Sequence, residues 1–238
     1  MMQDNPKALI RILVIAAHPD DIEFGMGGSV ALWTDAGHEV IYALVTDGSA
    51  GTNEPGADLA ALARTRRDEQ IAAAAAVGVR DVRFLGHRDG TLQPTIELRR
   101  ELTALIRQVR PQRVICQDPT LIFAGSGYIN HPDHRAAGEA ALYAVFPSAE
   151  TRPIFPELLD EGLEPHKVHE LYLTFSPQPD TFFDISSVID RKIESLLCHR
   201  SQVGPEVGEM VRGWDAETGK RDGYAYAESF RVMRLVDN

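Results

Sequence analysis

Cysteine is scarce in this chain. Only Cys116 and Cys198 occur among 238 residues. Both sit in apolar patterns, Val114-Ile115-Cys116 and Leu196-Leu197-Cys198. A disulfide-stapled scaffold is therefore excluded, and the pair reads as two buried, reduced thiols. Basic residues are also in the minority, with 24 Lys and Arg against 35 Asp and Glu and a net charge of −11. No basic stripe is present to neutralise phosphates, which argues against nucleic acid or an anionic membrane as partner. No apolar run approaches the ~20 residues that a membrane span needs. The opening MMQDNPKALI lacks a basic region followed by a long apolar stretch, so no secretory signal is expected. Together these features favour the cytoplasm. Repeats and low-complexity linkers are absent. The hydrophobic content of 44% is enough for one substantial core, so a single domain over residues 1–238 is expected.

What is present is an alternation of strand and helix signals. Short apolar runs predict strands at 10–16, 39–46, 79–85, 113–117 and 168–175, and a last strand at 229–236. Helices are predicted at 27–36, 58–77, 95–109, 132–146 and 186–199. The glycine-rich stretch 47–56 reads as an exposed loop, and the polar stretch 201–227 carries no assignable period. This spacing implies right-handed crossovers and a Rossmann-like α/β three-layer sandwich with a mainly parallel sheet. Ligands of such sheets collect beyond the C-terminal ends of the strands. The loops after the first four strands hold His18, the 47–57 segment, His87-Arg88-Asp89 and His131 to His134, so all four belong on one edge.

Two segments on that edge carry the chemistry. AHPDDIEFGMGG spans 16–27 and HPDH spans 131–134. His18 and Asp21 at i/i+3, closed by His134, make two His and one carboxylate, a common set for a catalytic zinc with one position left for water. Asp20 lies between the first two ligands, where it reaches that water as a base. The competing reading is a helix N-cap for one of the two acids. For HPDH it is a capping Asp133 flanked by two solvated histidines. If His134 is a ligand, His131 is left beside the metal to stabilise an oxyanion or protonate a leaving group. Asp133 would then orient an imidazole from behind.

Other candidates are less determined. Arg66 either binds a substrate hydroxyl or carboxylate or pairs with Glu69 along its helix. Asp89 either bonds sugar hydroxyls or serves the turn before Gly90. His199 and Cys198, adjacent in a helix, do not face each other. Gly25, Gly27 and Gly28 do not match the dinucleotide-binding spacing.

The chain resembles the PIG-L/LmbE-like zinc-dependent N-deacetylases. The matching residues are AHPDDIEFGMGG (16–27), Arg66 and Glu69 within RTRRDEQ, FLGHRDG (84–90), HPDHRAA (131–137), FDISSVIDRKIESLLCHRSQ (183–202) and YAESFRV (226–232). Many members place Glu directly after the paired Asp, whereas here Ile22 precedes Glu23. The resemblance implies zinc on His18, Asp21 and His134, replaceable by ferrous or cobalt ion, with Asp20 as general base and His131 as acid or oxyanion stabiliser. It implies hydrolysis of an N-acetyl group on a glucosamine-containing small molecule. An amidase of a larger glucosaminyl-thiol conjugate, or a non-catalytic sugar- or metal-binding relative, is the alternative. Members can use a Tyr just before HPDH on the oxyanion, and Tyr128 is the nearby residue. Relatives are often trimers or hexamers, and the Ala-rich helix faces here also suggest a homo-oligomer.

Overall fold

In the computed structural model, which describes residues 9–236, the chain runs β1 (Arg11–Ala16), α1 (Asp21–Asp35), β2 (Glu39–Thr46), α2 (Leu59–Ala76), β3 (Asp81–His87), α3 (Ile96–Val109) and β4 (Arg113–Gln117). A small hairpin, β5 (Phe123–Ala124) and β6 (Tyr128–Ile129), precedes α4 (Pro132–Tyr143) and the short α5 (Glu157–Asp160). The chain ends with β7 (Glu170–Thr174), β8 (Thr181–Asp184), α6 (Ile189–Leu196), α7 (Val207–Gly219) and β9 (Ala227–Arg234).

Seven strands form one sheet in the order β3-β2-β1-β4-β7-β9-β8. The first five are parallel to their neighbours, and β9 pairs antiparallel with both β7 and β8. The two faces of β1 explain the layers. Leu13 and Ile15 pack with Leu98, Leu102 and Ile106 of α3 and Ala137 and Ala141 of α4. Ile12, Val14 and Ala16 face Ile22 and Val30 of α1, Ala74 of α2 and Ile189 and Ile193 of α6. A strand covered on both sides reads as a continuous apolar run, as this one does.

Strand order reverses between β1 and β4. From β1 the chain steps outward to β2 and β3, then returns to β4 on the other side of β1. The crevice beyond the C-terminal ends of these two strands is the switch point of the sheet. It receives His18 directly after β1 and HPDH after β4.

Three expectations need correction. The first helix begins at Asp21, not at residue 27, so its glycines lie inside it. They serve close packing: a Cβ on Gly28 would stand 2.9 Å from the Ile185 side chain, and one on Gly25 would stand 2.8 Å from the Phe175 ring. The unassigned stretch 201–227 contains α7, and β8 and the β5–β6 hairpin were not anticipated. The helix expected to reach residue 146 ends at Tyr143 and gives way to a wider turn over Ala144–Ala149 that carries Pro147. Cys116 is buried and Cys198 half-buried, and neither is in a disulfide.

Candidate metal centre and active-site cavity

The loop after β1 is short and strongly shaped. Asp20 adopts a left-handed backbone, φ 98° and ψ −29°, which a non-glycine residue takes at a cost of about 1–3 kcal/mol. It occupies the N-cap position of α1, yet its side chain makes no capping bond. The N-cap reading of that acid therefore fails. Asp21 turns back on the loop, and its Oδ2 accepts from the backbone N–H of His18 at 2.7 Å. The same oxygen lies 3.4 Å from His18 Nδ1, while Oδ1 lies 3.0 Å from His134 Nε2. One carboxylate thus joins histidines from two strands' loops. Ring nitrogens of His18, His131 and His134 also lie within 4.8 Å of one another.

His134 Nδ1 faces Asn130 Oδ1 at 2.9 Å, which leaves Nε2 for the centre. His18 Nε2 faces Asp89 Oδ1 at 3.0 Å and Asp133 Oδ2 at 3.4 Å, which leaves Nδ1 for the centre. Imidazoles held from behind by an acid or amide are the usual arrangement of metal-binding histidines. Asp133 stands behind the imidazole of His18, its Oδ2 3.4 Å from Nε2. It is fully buried and also accepts from Gly90 N at 2.7 Å and Leu92 N at 3.1 Å, which ties the β3 loop to α4. It is not a solvated cap.

The donor set fits a divalent cation. Four carboxylates, those of Asp20, Asp21, Asp89 and Asp133, converge on three histidines and Arg66. Burial and the charge of Asp21 push the Asp20 carboxyl up to about 6, against the pull of Arg66. Burial opposes charge on His18, but its hydrogen bonds to Asp133, Asp21 and Asp89 prevail and raise it to about 12. A proton and a metal ion compete for that imidazole, and a cation relieves the same crowding of acids.

Arg66 does not pair with Glu69. It is buried, donating from Nη1 to Gly48 O at 2.8 Å and from Nη2 to Pro19 O at 2.5 Å and Asp20 Oδ2 at 3.0 Å. Glu69 instead accepts from Ser201 N and Oγ. Asp89 is likewise buried, its Oδ2 accepting from Ala50 N at 2.9 Å. His131 caps α4, its Nδ1 accepting from Asp133 N at 3.2 Å, so the ring proton resides on Nε2. Burial and the neighbouring His18 hold His131 below the ordinary histidine range, against the pull of Asp133.

His18, Asp20, Asp21, Arg66, Asp89, His131 and His134 form the polar end of a cavity of about 800 Å³. Its other wall is apolar, with Phe24 from α1, Leu121, Phe175 after β7 and Trp214 from α7. Tyr128 stands at the mouth, 52% exposed. Asn130, Phe24 and Trp214 were not anticipated. Asn130 directly precedes HPDH, one helical turn before His134, which is the signal that could have found it. Trp214 lay in the stretch without a readable period.

Comparison with known proteins agrees with this geometry. The model of the PIG-L family, GlcNAc-PI de-N-acetylase, matches residues 13–145. The chain is 34% identical over 231 residues to the diacetylchitobiose deacetylase of Thermococcus kodakarensis, covering 94% of this chain and 83% of the relative. It is 33% identical to the 1D-myo-inositol 2-acetamido-2-deoxy-alpha-D-glucopyranoside deacetylase of Kineococcus radiotolerans, covering 98% of this chain and 79% of the relative. Among solved structures, the N,N'-diacetylchitobiose deacetylase from Pyrococcus horikoshii superposes with a TM-score of 0.89 at 32% identity, covering 97% of this chain and 86% of that one.

Proposed function

Because the chain belongs to the PIG-L family, we propose that it hydrolyses the acetamide of an N-acetylglucosamine-containing small molecule, releasing acetate and the free amine. The carrying observation is the convergence of the two His-Pro-Asp segments on one cavity, with Asp21 between His18 and His134. In this reading His18, Asp21 and His134 hold a divalent ion. The set of two imidazoles and one carboxylate suits zinc, and ferrous or cobalt ion fits the same donors. Such an ion supplies Lewis-acid polarisation of the acetamide and lowers the pKa of a water.

The chain's own residues do the rest. Arg66 grips Oδ2 of Asp20, so the carboxylate faces the cavity in a fixed orientation and accepts the proton of the attacking water. Neutral His131, with its proton on Nε2, donates to the carbonyl oxygen as charge develops there. Collapse breaks the C–N bond, and the proton held by Asp20 passes to the departing amine. A non-catalytic sugar- or metal-binding relative would need neither Asp20 nor His131 in the cavity.

The size of the cavity and its apolar wall support a glycoside longer than one sugar, with Trp214 and Phe24 against the second unit. An amide on a larger glucosaminyl-thiol conjugate is the second reading, favoured by the same volume. Exposed Phe123, Ile129 and Phe146 support a homo-oligomer. No helix among the described residues is long and apolar enough to cross a membrane.

The test is product analysis of the zinc-loaded protein with N-acetylglucosamine, N,N′-diacetylchitobiose and N-acetylglucosaminyl-malate. Acetate and free amine should appear in equal amounts from at least one. No acetate from any of the three rejects the proposal.

A further inference from the structure

Asp20 is held in its left-handed conformation from outside its own loop. Its backbone N–H donates to Gln70 Oε1 at 3.0 Å. Gln70 lies one helical turn after Arg66 on α2, so the two side chains share a face and reach the same loop together. Gln70 is fully buried, and its Nε2 donates to Glu23 Oε1 at 2.9 Å. The other oxygen of Glu23, on α1, lies 3.1 Å from Nε2 of His199, which follows α6. Glu23 and His199 are fully buried too.

The chemistry of each partner fixes the orientation of the Gln70 amide. A carboxylate accepts only, so the NH₂ end must face Glu23. The carbonyl end must then face the N–H of Asp20. Three buried polar residues from three separate segments thus form a chain that ends on one backbone N–H, and none of them is among the residues that line the cavity. A backbone N–H of a short loop can be satisfied far more simply, by a neighbouring carbonyl or by water.

We propose that Gln70 is a positioning residue for the hydrolysis: locked by Glu23 and His199, it holds the backbone of Asp20 so that the carboxylate meets the attacking water. This rests on the reading of Asp20 as the base. Arg66 orients the carboxylate directly, and Gln70 orients the peptide that carries it. Glu23 and His199 set the amide's direction, and this part of their influence reaches Asp20 through Gln70; His199 also acts on the Asp20 carboxyl directly, through its charge.

The test is a double-mutant cycle on the zinc-loaded full chain, with acetate release from N,N′-diacetylchitobiose as the assay. Gln70→Met, which is nearly isosteric but offers only a weak sulfur acceptor and no donor, should lower kcat about 10–100-fold, since a displacement of 1 Å can remove ~10²-fold. KM should stay within about twofold, and bound zinc per chain should be unchanged. In the Asp20→Asn background the same substitution should have almost no further effect, because the group being aimed is no longer a base. Gln70→Asn, which draws the amide one methylene back from Asp20, should reproduce this pattern and serves if the Met variant does not fold. An equal loss in both backgrounds, or a loss tracking zinc content, overturns the proposal. Full activity of Asp20→Asn itself would instead show that the reading of Asp20 as the base is wrong, and the proposal falls with it.

Discussion

His134 and Asn130 are joined by a 2.9 Å contact between Nδ1 and Oδ1, from one helical turn apart across the start of α4. The pairing settles which face of the imidazole is free. With Nδ1 donating to the amide, Nε2 points at Asp21 Oδ1, 3.0 Å away. The residue directly before HPDH thereby controls the residue that ends it.

Removing that partner should weaken metal binding without abolishing it. Loss of a hydrogen bond behind a metal-binding histidine typically costs 10–100-fold in metal affinity or activity. Asn130→Ala should lower zinc affinity by about that factor in chelator competition, and should also lower the melting temperature of the metal-free protein by a few degrees, since Asn130 Nδ2 donates to Leu121 O at 2.9 Å. Unchanged affinity would show that His134 needs no such support.

His131 tests the distinction between donor and acid. As a neutral donor to the carbonyl oxygen it acts only when charge develops there. His131→Ala should retain zinc, lower kcat by about 10²–10³-fold and leave KM nearly unchanged. A KM effect of the same size as the kcat effect would reassign it to substrate binding.

Trp214 reports on the apolar wall. It is 53% exposed, whereas the other tryptophan, Trp33, is 3% exposed and packed among Tyr172, Phe183 and Phe230. A disaccharide seated against the wall should shift tryptophan emission to shorter wavelength, and Trp214→Ala should abolish the shift. The same variant should raise KM for N,N′-diacetylchitobiose about tenfold, the equivalent of ~1.4 kcal/mol of ring contact, and leave that for N-acetylglucosamine unchanged. Equal effects on both sugars would remove Trp214 from the account of specificity.

How far these features were legible in the sequence follows from what each one depends on. Strands β1 and β4 announce themselves because both of their faces are covered, which forces continuous apolar runs. The polar ends of the two loops are equally plain, since His18, Asp21 and His134 lie in tight local motifs. The start of α1 was missed because Gly25, Gly27 and Gly28 look like a loop until their neighbours Phe175, Lys192 and Ile185 are known. Helix α7 was missed because its burial is partly ionic. Lys192, fully buried, is matched by Asp215 and Glu228, each 2.8 Å from Nζ, and such pairing leaves no hydrophobic period. Gln70 reads as one more polar residue of an Ala-rich helix, because its two side-chain partners, the Asp20 backbone N–H and the Glu23 carboxylate, are distant in sequence.

The same ionic cluster gives a stability prediction. Burial pushes Asp215 up to about 6, against the attraction of Lys192 and with the help of repulsion from Glu228. A raised folded-state pKa contributes stability that is complete below the unfolded value and is lost as pH rises through about 6. Between pH 4.5 and 7 the protein should therefore lose about 2 kcal/mol from this group, most of it below about pH 6. Asp215→Asn has no titrating carboxyl there, so its melting temperature relative to wild type should improve up to about pH 6 and then level off. Parallel curves across the range would contradict the assignment.

The most direct measurement is acetate release before and after metal removal, with wild type and His134→Ala compared at matched protein concentration. Wild type should hold about one divalent ion per chain, lose activity on chelation and regain it with zinc. His134→Ala should lose most of the ion and stay inactive at zinc levels that restore wild type. Acetate release that persists after chelation, or a His134→Ala protein with full metal content, would contradict the proposed centre of His18, Asp21 and His134.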